Sequence, residues 1–194
     1  MKRLFLLFIP LIFMACSTVT FTANERQLIG NSPAAETMRL WITDNETDSL
    51  FLREKAEPLN RADLKSEWFP ALKVRMLATV NDPANPGVGI AAPQVGIGKQ
   101  LVTVQRLDKE GEPFEFYINP RIENYSEEIE AGPEGCLSIP GRSGVVKRST
   151  SIVISYINEA TGRRKKETIE GFTAVIFQHE IDHLDGILYI DRME

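Results

Sequence analysis

The chain is poor in cysteine and histidine and has no excess of basic charge. With two cysteines among 194 residues, a disulfide framework is excluded. The net charge of −5 provides no general attraction to nucleic acid, so no nucleic-acid partner is expected. Internal repeats are absent, which excludes a repeat architecture. With 43% apolar and 25% charged residues, the chain is long enough to bury one sizeable core.

Long apolar runs are also lacking, with one short exception at the N-terminus. Residues 4–15 are continuously apolar after a basic start, and such a run is too short to span a bilayer as an ordinary helix. It is typical of a signal-peptide core, and Ala15-Cys16-Ser17 resembles a lipoprotein cleavage site. We expect residues 1–16 to be a lipoprotein-like signal peptide that exports the protein or anchors it to a membrane through Cys16. Without processing, the protein would be cytoplasmic.

The rest of the chain predicts a linker and one domain. Residues 17–37 are expected to form a polar linker, and residues 38–194 the domain that carries the motifs described below. A buried strand or helix at the N-terminus is the alternative, which the basic start and the abrupt change to polar residues disfavour.

Hydrophobic periodicity predicts an α+β fold in which antiparallel strands pack around a C-terminal helix. The predicted helices are Glu67–Val80 and a final helix that Thr173 caps and that runs to about Leu184, stopping near Gly186. The predicted strands are Leu101–Arg106, Phe114–Ile118, and a hairpin of Ile152–Ile157 with Lys165–Ile169. The basic run at residues 163–166 is expected to be a solvated arm of that hairpin.

Both histidines of the chain stand in one motif, His179-Glu180-Ile181-Asp182-His183. On an α-helix, positions four apart differ by roughly 40° and lie on one face. Two imidazoles so placed can share one metal ion, and Glu180 can reach a water bound to that ion. Two unrelated helical histidines are the alternative, but a chain that uses both of its histidines in this pattern favours a metal site.

A catalytic metal centre of this kind needs a third protein ligand. The eleven residues after His183 contain no histidine and leave little room for another helix, so the ligand should come from upstream. Cys136 is the best candidate, because it has no evident disulfide partner and stands in a turn constrained by Gly135 and Pro140. A buried, inert thiol is the alternative. A thiolate with two imidazoles suits Fe(II), Zn(II) or Ni(II).

A glycine-rich segment, residues 87–96, forms a third motif. Gly87, Gly89 and Ala92 match a dinucleotide-binding fingerprint, but that fingerprint must follow a strand and open a helix. Here a turn-rich loop precedes it, and Pro93 would interrupt the helix. We expect instead a loop with exposed backbone N–H groups that approaches a ligand closely, in which Gln94 donates to a developing oxyanion.

Taken in order, the three motifs resemble those of peptide deformylases. The family patterns GxGxAAPQ, EGCLS and HExxDH are matched by residues 87–94, 134–138 and 179–183, and the resemblance covers residues 38–192. It implies the family's α+β fold and a metal-dependent enzyme that hydrolyses the formyl group from N-formyl-L-methionyl peptides. It also implies a single ion, Fe(II) in the typical member, with Zn(II), Ni(II) or Co(II) as other candidates.

The resemblance implies a role for each matching residue. Cys136, His179 and His183 would hold the metal, and Glu180 would carry protons between water and the leaving amine. The side chain of Gln94 and the backbone N–H of Leu137 would stabilise the oxyanion. Residues that would bind substrate are Val88, Gly89 and Val175, although an apolar residue at the position of Val175 is also typical of plain core.

Some features depart from the family. Arg142 stands one position earlier than the corresponding arginine of many members, so we leave it out of the site. The chain ends soon after the metal helix, so docking on the ribosome through a C-terminal helix is not expected. Export also conflicts with the cytoplasmic origin of formylated chains. Two hypotheses resolve the conflict: a working deformylase anchored at the envelope that acts on exported formyl-peptides, or an envelope lipoprotein that binds metal or peptide with little turnover. A metalloprotease is a separate alternative, against which Cys136 argues.

Overall fold

The computed structural model describes residues 18–30 and 36–193 as an α+β fold. Its helices are α1 (Ala23–Gly30), α2 (Glu46–Leu52), α3 (Arg61–Lys65), α4 (Trp68–Val80) and α5 (Gly171–Leu184). Its strands are β1 (Gly89–Ala91), β2 (Leu101–Gln105), β3 (Phe114–Tyr125), β4 (Ile129–Cys136), β5 (Ile139–Ser149), β6 (Ser151–Ile157) and β7 (Arg164–Glu170). Short 3-10 helices occupy Ala92–Val95 and Tyr189–Asp191.

Two antiparallel sheets hold the functional segments. Strands β1, β2, β3, β6 and β7 lie in that order in one sheet, and β4 pairs with β5 in the other. The predicted hairpin is confirmed, since β6 and β7 pair antiparallel with Ile152 opposite Ile169. The exposed basic run follows the turn of this hairpin, as expected. Strand β3 extends beyond the predicted segment to Tyr125, with irregular pairing to β6.

Helix α5 lies against the five-stranded sheet and is fixed there by apolar packing. Its side chains Phe177, Ile181 and Leu184 are buried in one cluster with Val102 and Ile154 of the sheet. Burying a large apolar side chain contributes roughly 1.5–3 kcal/mol. The predicted arrangement of antiparallel strands around the C-terminal helix is therefore confirmed, and the helix that carries both histidines has a fixed position.

The start of α5 differs from the prediction. Thr173 was expected to cap the helix, but the helix begins at Gly171, and Glu170 occupies the cap position. Gly171 has φ +61°, a left-handed conformation that glycine adopts readily, so the chain turns directly from β7 into α5. Thr173 lies inside the first turn and is buried. The predicted end at Leu184 is confirmed.

The glycine-rich segment is more regular than the predicted exposed loop. Residues 89–91 form β1, which pairs with β2, and a 3-10 helix follows. Apolar Ile90, Ala91 and Ala92 explain the difference, because all three are fully buried. The segment begins with a strand rather than following one, which agrees with the rejection of a dinucleotide fingerprint.

Part of the predicted polar linker is packed into the fold, so that prediction is wrong for residues 18–30. Phe21 and Ile29 are buried in the cluster that contains Phe69 of α4. Thr20 donates from its backbone N–H and its hydroxyl to the carboxylate of Asp63, at 2.6 and 2.8 Å. These two side chains, with Leu28 packed against the same cluster, attach the stretch because they fill space in the core.

Arg75 of α4 holds the other end of α1. Its guanidinium donates to the carbonyl oxygens of Leu28 and Ile29 at 2.6 and 2.9 Å, which satisfies acceptors that the end of a helix leaves free. The predicted signal peptide lies outside the described residues. Among the helices of the described ranges, none combines the length and the hydropathy that crossing a bilayer requires.

If residues 18–30 belong to the fold, truncating Phe21 should destabilise the whole domain. We expect Phe21→Ala to lower the free energy of unfolding by roughly 3–5 kcal/mol, because it leaves a cavity beside Phe69. Val19→Ala, at an exposed neighbouring position, is the matched control. Urea unfolding measures both; equal stability of the two variants would show that this segment is a dispensable tether.

Candidate metal centre

The two histidines lie on the same face of α5, as the spacing predicts. Their rings are 5.1 Å apart and meet edge to face. His183 is fully buried, and burial lowers its pKa well below the usual value, so this imidazole is neutral and free to bind a cation.

Cys136 approaches the histidines from the other sheet. It is the last residue of β4, and the chain turns through Leu137 and Ser138 before β5 begins. Its Sγ lies 3.2 Å from Nε2 of His183 and receives a hydrogen bond from Nε2 of Gln94 at 3.4 Å. Cys136 is a free thiol, and the predicted turn around it is present.

These three side chains fit one metal ion. One sulfur and two imidazole nitrogens lie within 4.8 Å of one another, and the three residues are buried or partly buried. Within the described part of the chain, Oε2 of Glu180 is among the buried side-chain atoms without a hydrogen-bond partner. Buried polar atoms are usually paired, so this unpaired oxygen beside the donor set fits a site built for an additional charged group.

Glu134 orients His179 toward the donor set. Nδ1 of His179 donates to Oε2 of Glu134 at 2.8 Å, which leaves Nε2 of the ring facing Cys136 and His183. Burial disfavours the imidazolium, but hydrogen bonds to Cys136 and Glu134 outweigh it and raise the pKa of His179 to about 10. Metal binding therefore has to displace a proton from this ring.

A buried network of charges fixes Glu134 in turn. Burial alone would raise the pKa of its carboxyl, but hydrogen bonds from His179 and Arg148 lower it to about 2. Arg148 of β5 donates to Oε1 of Glu134 at 2.7 Å and to Asp182 of α5 at 2.6 Å. Arg192 closes the network with two bonds to Asp182, each of 2.6 Å. Every buried charge in this network has an opposite charge beside it, which the interior of a protein requires.

Glu180 lies next to the donor set and is buried. Among the protein groups alone, burial raises the pKa of its carboxyl to about 7, while the charge of His179 acts in the opposite direction. A carboxyl that titrates near neutrality can both take and return a proton. Gly89 makes room for it, because a Cβ at this position would lie 2.6 Å from Oε1 of Glu180. The glycine thus accommodates a side chain of the protein itself, as well as lying on the wall of the cavity described below.

Gln94 and Leu137 both lie beside Cys136 at the wall of the cavity described below. Oε1 of Gln94 accepts the backbone N–H of Ala91 at 2.8 Å, which turns its Nε2 toward Cys136. Gln94 is almost fully buried, so its amide has a fixed orientation. Leu137 directly follows Cys136 in the turn.

An open cavity of about 470 Å³ adjoins these groups. Its apolar part is formed by residues from three segments: Val88, Leu137, Phe172, Val175 and Ile176. Its polar part is formed by Gln94, Cys136, His179 and Glu180. The structure therefore brings all nine predicted site residues to one place, with His183 behind Cys136 rather than on the cavity wall.

Glu134, Arg148 and Phe172 belong to this region, although the sequence patterns indicate no role for them. A signal exists for Glu134, because residues two apart in a strand lie on one face, and Glu134 precedes Cys136 by two. The place of Arg148 in this region follows only from the pairing of β5 with β4 in the fold. Phe172 is an exposed residue at the start of α5, which no local pattern distinguishes from ordinary surface.

A thiol, two imidazoles and an adjacent buried carboxyl on an α+β scaffold define a centre of the mononuclear metallohydrolase type. The polypeptide deformylase family profile matches residues 40–194. The chain therefore belongs to the polypeptide deformylase family.

Curated relatives agree with this assignment. A peptide deformylase of Symbiobacterium thermophilum is 43% identical over 141 residues, which make up 73% of this chain and 61% of that relative. A peptide deformylase of Desulforudis audaxviator is 40% identical over 141 residues and is covered to 86% of its length.

Solved structures show the same fold. A class I type b peptide deformylase from Acinetobacter baumannii with bound Met-Ala-Ser has 33% identity and a TM-score of 0.71, covering 82% of this chain and 99% of that one. A peptide deformylase from Synechococcus elongatus in complex with actinonin has 36% identity and a TM-score of 0.70, covering 81% and 80%.

The role of Glu134 can be tested by metal binding. We expect Glu134→Gln to weaken zinc affinity by roughly 10–100-fold, because the neutral amide orients His179 less firmly and supports its ligation less well. Glu130→Gln, an exposed position on the same strand, is the control. Competition with a chromophoric chelator measures both affinities; an unchanged affinity in Glu134→Gln would contradict the orienting role.

Proposed function

We propose that this protein hydrolyses the N-formyl group of N-formyl-L-methionyl peptides, releasing formate and a free amino terminus. The proposal depends on one observation: Cys136, His179 and His183 converge, and two of them, Cys136 and His179, line an open cavity together with Glu180. Membership in the deformylase family and a structural relative with bound Met-Ala-Ser support this substrate class.

Cys136, His179 and His183 would hold the metal ion. When bound, a divalent ion supplies Lewis acidity and a nucleophilic water near neutral pH. We assign Fe(II) as the ion, and the donor set is also compatible with Zn(II), Ni(II) and Co(II). Family membership supports a metal-dependent activity, and the choice among these ions is part of the proposal.

Glu180 transfers the protons, and Gln94 and Leu137 stabilise the negative charge that develops on the substrate. Glu180 takes a proton from the water as the water oxygen bonds to the formyl carbon. The same carboxyl then returns the proton to the nitrogen as the C–N bond breaks, so formic acid and a neutral amine leave, and the acid gives its remaining proton to solvent to become formate. Nε2 of Gln94 and the backbone N–H of Leu137 donate to the formyl oxygen while it carries negative charge.

The cavity accommodates the peptide. Its apolar walls at Val88, Val175 and Phe172 suit a methionine side chain, and the neighbouring backbone of Gly89 lies at the edge of a sheet. An extended peptide can add to such an edge through main-chain hydrogen bonds. The metal-binding lipoprotein with little turnover is not supported, because a pure binder needs neither Glu180 nor Gln94, and both are in place.

Glu180→Ala tests the chemistry directly. We expect the wild type to release formate from formyl-Met-Ala-Ser and the variant to lose roughly 100-fold or more in kcat, since general acid–base catalysis contributes about 10²–10⁴. Glu170→Ala, an exposed glutamate just before α5, is the control.

Metal content is measured in parallel, so that lost activity is not mistaken for lost metal. Undiminished formate release by metal-loaded Glu180→Ala would contradict the proposal. Cleavage of internal peptide bonds without release of formate would instead indicate that the protein is a metalloprotease.

The location of the protein is a separate proposal that rests on the sequence alone. We propose that Cys16 is lipidated after removal of residues 1–15 and anchors the enzyme at a membrane, where it acts on exported formyl-peptides. Expression of the full chain with labelled fatty acid should give a labelled, membrane-associated protein, and Cys16→Ser should be unlabelled. Mass spectrometry showing an intact residue 1–194 chain would contradict this proposal.

A further inference from the structure

Residues 40–43, which we call the strap, lie against the back of the candidate site, outside all three sequence motifs. The backbone N–H of Trp41 donates to the carbonyl of Gln94 at 2.8 Å, and that of Thr43 donates to the carbonyl of Ser138 at 2.9 Å. Gln94 and Ser138 belong to two turns that are far apart in the sequence. The strap is thus a direct main-chain link between them.

The alternation of an extended chain explains how one short segment bonds to both turns. Backbone N–H groups of residues two apart point to the same side, so Trp41 and Thr43 both face the site. The intervening N–H of Ile42 faces the other way and donates to Asp48 at 3.2 Å. One short segment is therefore bonded to both turns through its backbone.

The strap is itself held firmly. Asp48 of α2, nearly fully buried, accepts two bonds from the guanidinium of Arg39, at 2.6 and 2.8 Å. The indole of Trp41 packs against Phe51 with 4.5 Å between ring centroids, and Arg39 covers it at 5.0 Å. The indole also lies against Gly96, which ends the 3-10 helix with φ +79°. A Cβ on Gly96 would overlap the Trp41 ring, so the ring and the turn fit without spare room.

We propose that the strap is a positioning element that sets the distance between the two oxyanion donors, the side chain of Gln94 and the backbone N–H of Leu137, with Trp41 as its positioning residue. This inference rests on the proposed function, since it assigns the strap a part in the same reaction. The strap reaches no reacting atom; it acts through the turns that carry the donors.

A backbone substitution removes one link selectively. Thr43→Pro lacks the N–H that bonds to Ser138, whereas Thr43→Ala keeps it and is the matched control. We expect a roughly ten- to hundredfold loss of kcat in Thr43→Pro, since small misplacements of catalytic groups are costly. KM should stay within about twofold, because the donors act on the transition state more than on bound substrate. Equal loss of kcat in Thr43→Ala, or none in Thr43→Pro, would overturn the proposal.

A double-mutant cycle tests the contact between the strap and the Gln94 turn. Trp41→Ala and Phe51→Ala should each lower kcat, and the double variant should lose no more than the worse single variant, because both remove the ring packing that holds the strap against this turn. Additive losses would overturn the proposal. If Thr43→Pro fails to fold, this cycle decides the question.

A spectroscopic measurement separates this proposal from the proposed function. In ¹⁵N–¹H spectra of the zinc-loaded full chain, Trp41→Ala and Thr43→Pro should shift the side-chain amide of Gln94 and the backbone amide of Leu137, and Thr43→Ala should leave both unchanged. Absence of formate release by the wild type would defeat the proposed function, while these shifts would still decide whether the strap positions the donors. Unchanged signals in both strap variants would refute it.

Discussion

The structure depends on the contact between the tip of the β4–β5 hairpin and one face of α5. One thiol and two imidazoles meet there within 4.8 Å, although they come from two separate elements. Apolar packing of α5 on the five-stranded sheet fixes the histidines, and the pairing of β4 with β5 fixes Cys136. Neither element can move independently without separating the donors.

Buried charges make this contact specific. Glu134 on the hairpin, Arg148 on the adjacent strand and Asp182 on α5 form a connected set, and Glu134 also bonds to His179. Asp182 belongs to α5, so the network joins the hairpin to the helix and reaches His179 through Glu134. Removing one member of such a buried pair typically costs about 3–5 kcal/mol, because the remaining charge is left without a partner. The network therefore restricts how the hairpin and the helix can pack.

Local sequence patterns predict part of the site, whereas contacts between segments that are distant in the sequence create the rest. Helix periodicity places His179, Glu180 and His183 on one face, and the absence of a downstream ligand leads to Cys136. The packing of residues 18–30 against the core is not predicted, because Phe21, Leu28 and Ile29 follow no repeating pattern in a stretch that is otherwise mostly polar. The buried β1 was missed because glycine and proline in the sequence suggested a loop. Contacts such as Thr43 with Ser138 depend on the tertiary fold, so no local pattern reveals them.

The most direct test of the account is X-ray absorption at the metal edge of the zinc-loaded protein. We predict one sulfur neighbour at about 2.3 Å and two imidazole nitrogens at about 2.0–2.1 Å, with one further light atom. Cys136→Ser should remove the sulfur signal and leave the nitrogen signal. A spectrum without sulfur in the wild type, or with fewer than two imidazoles, would contradict the assignment of Cys136, His179 and His183 to a single ion.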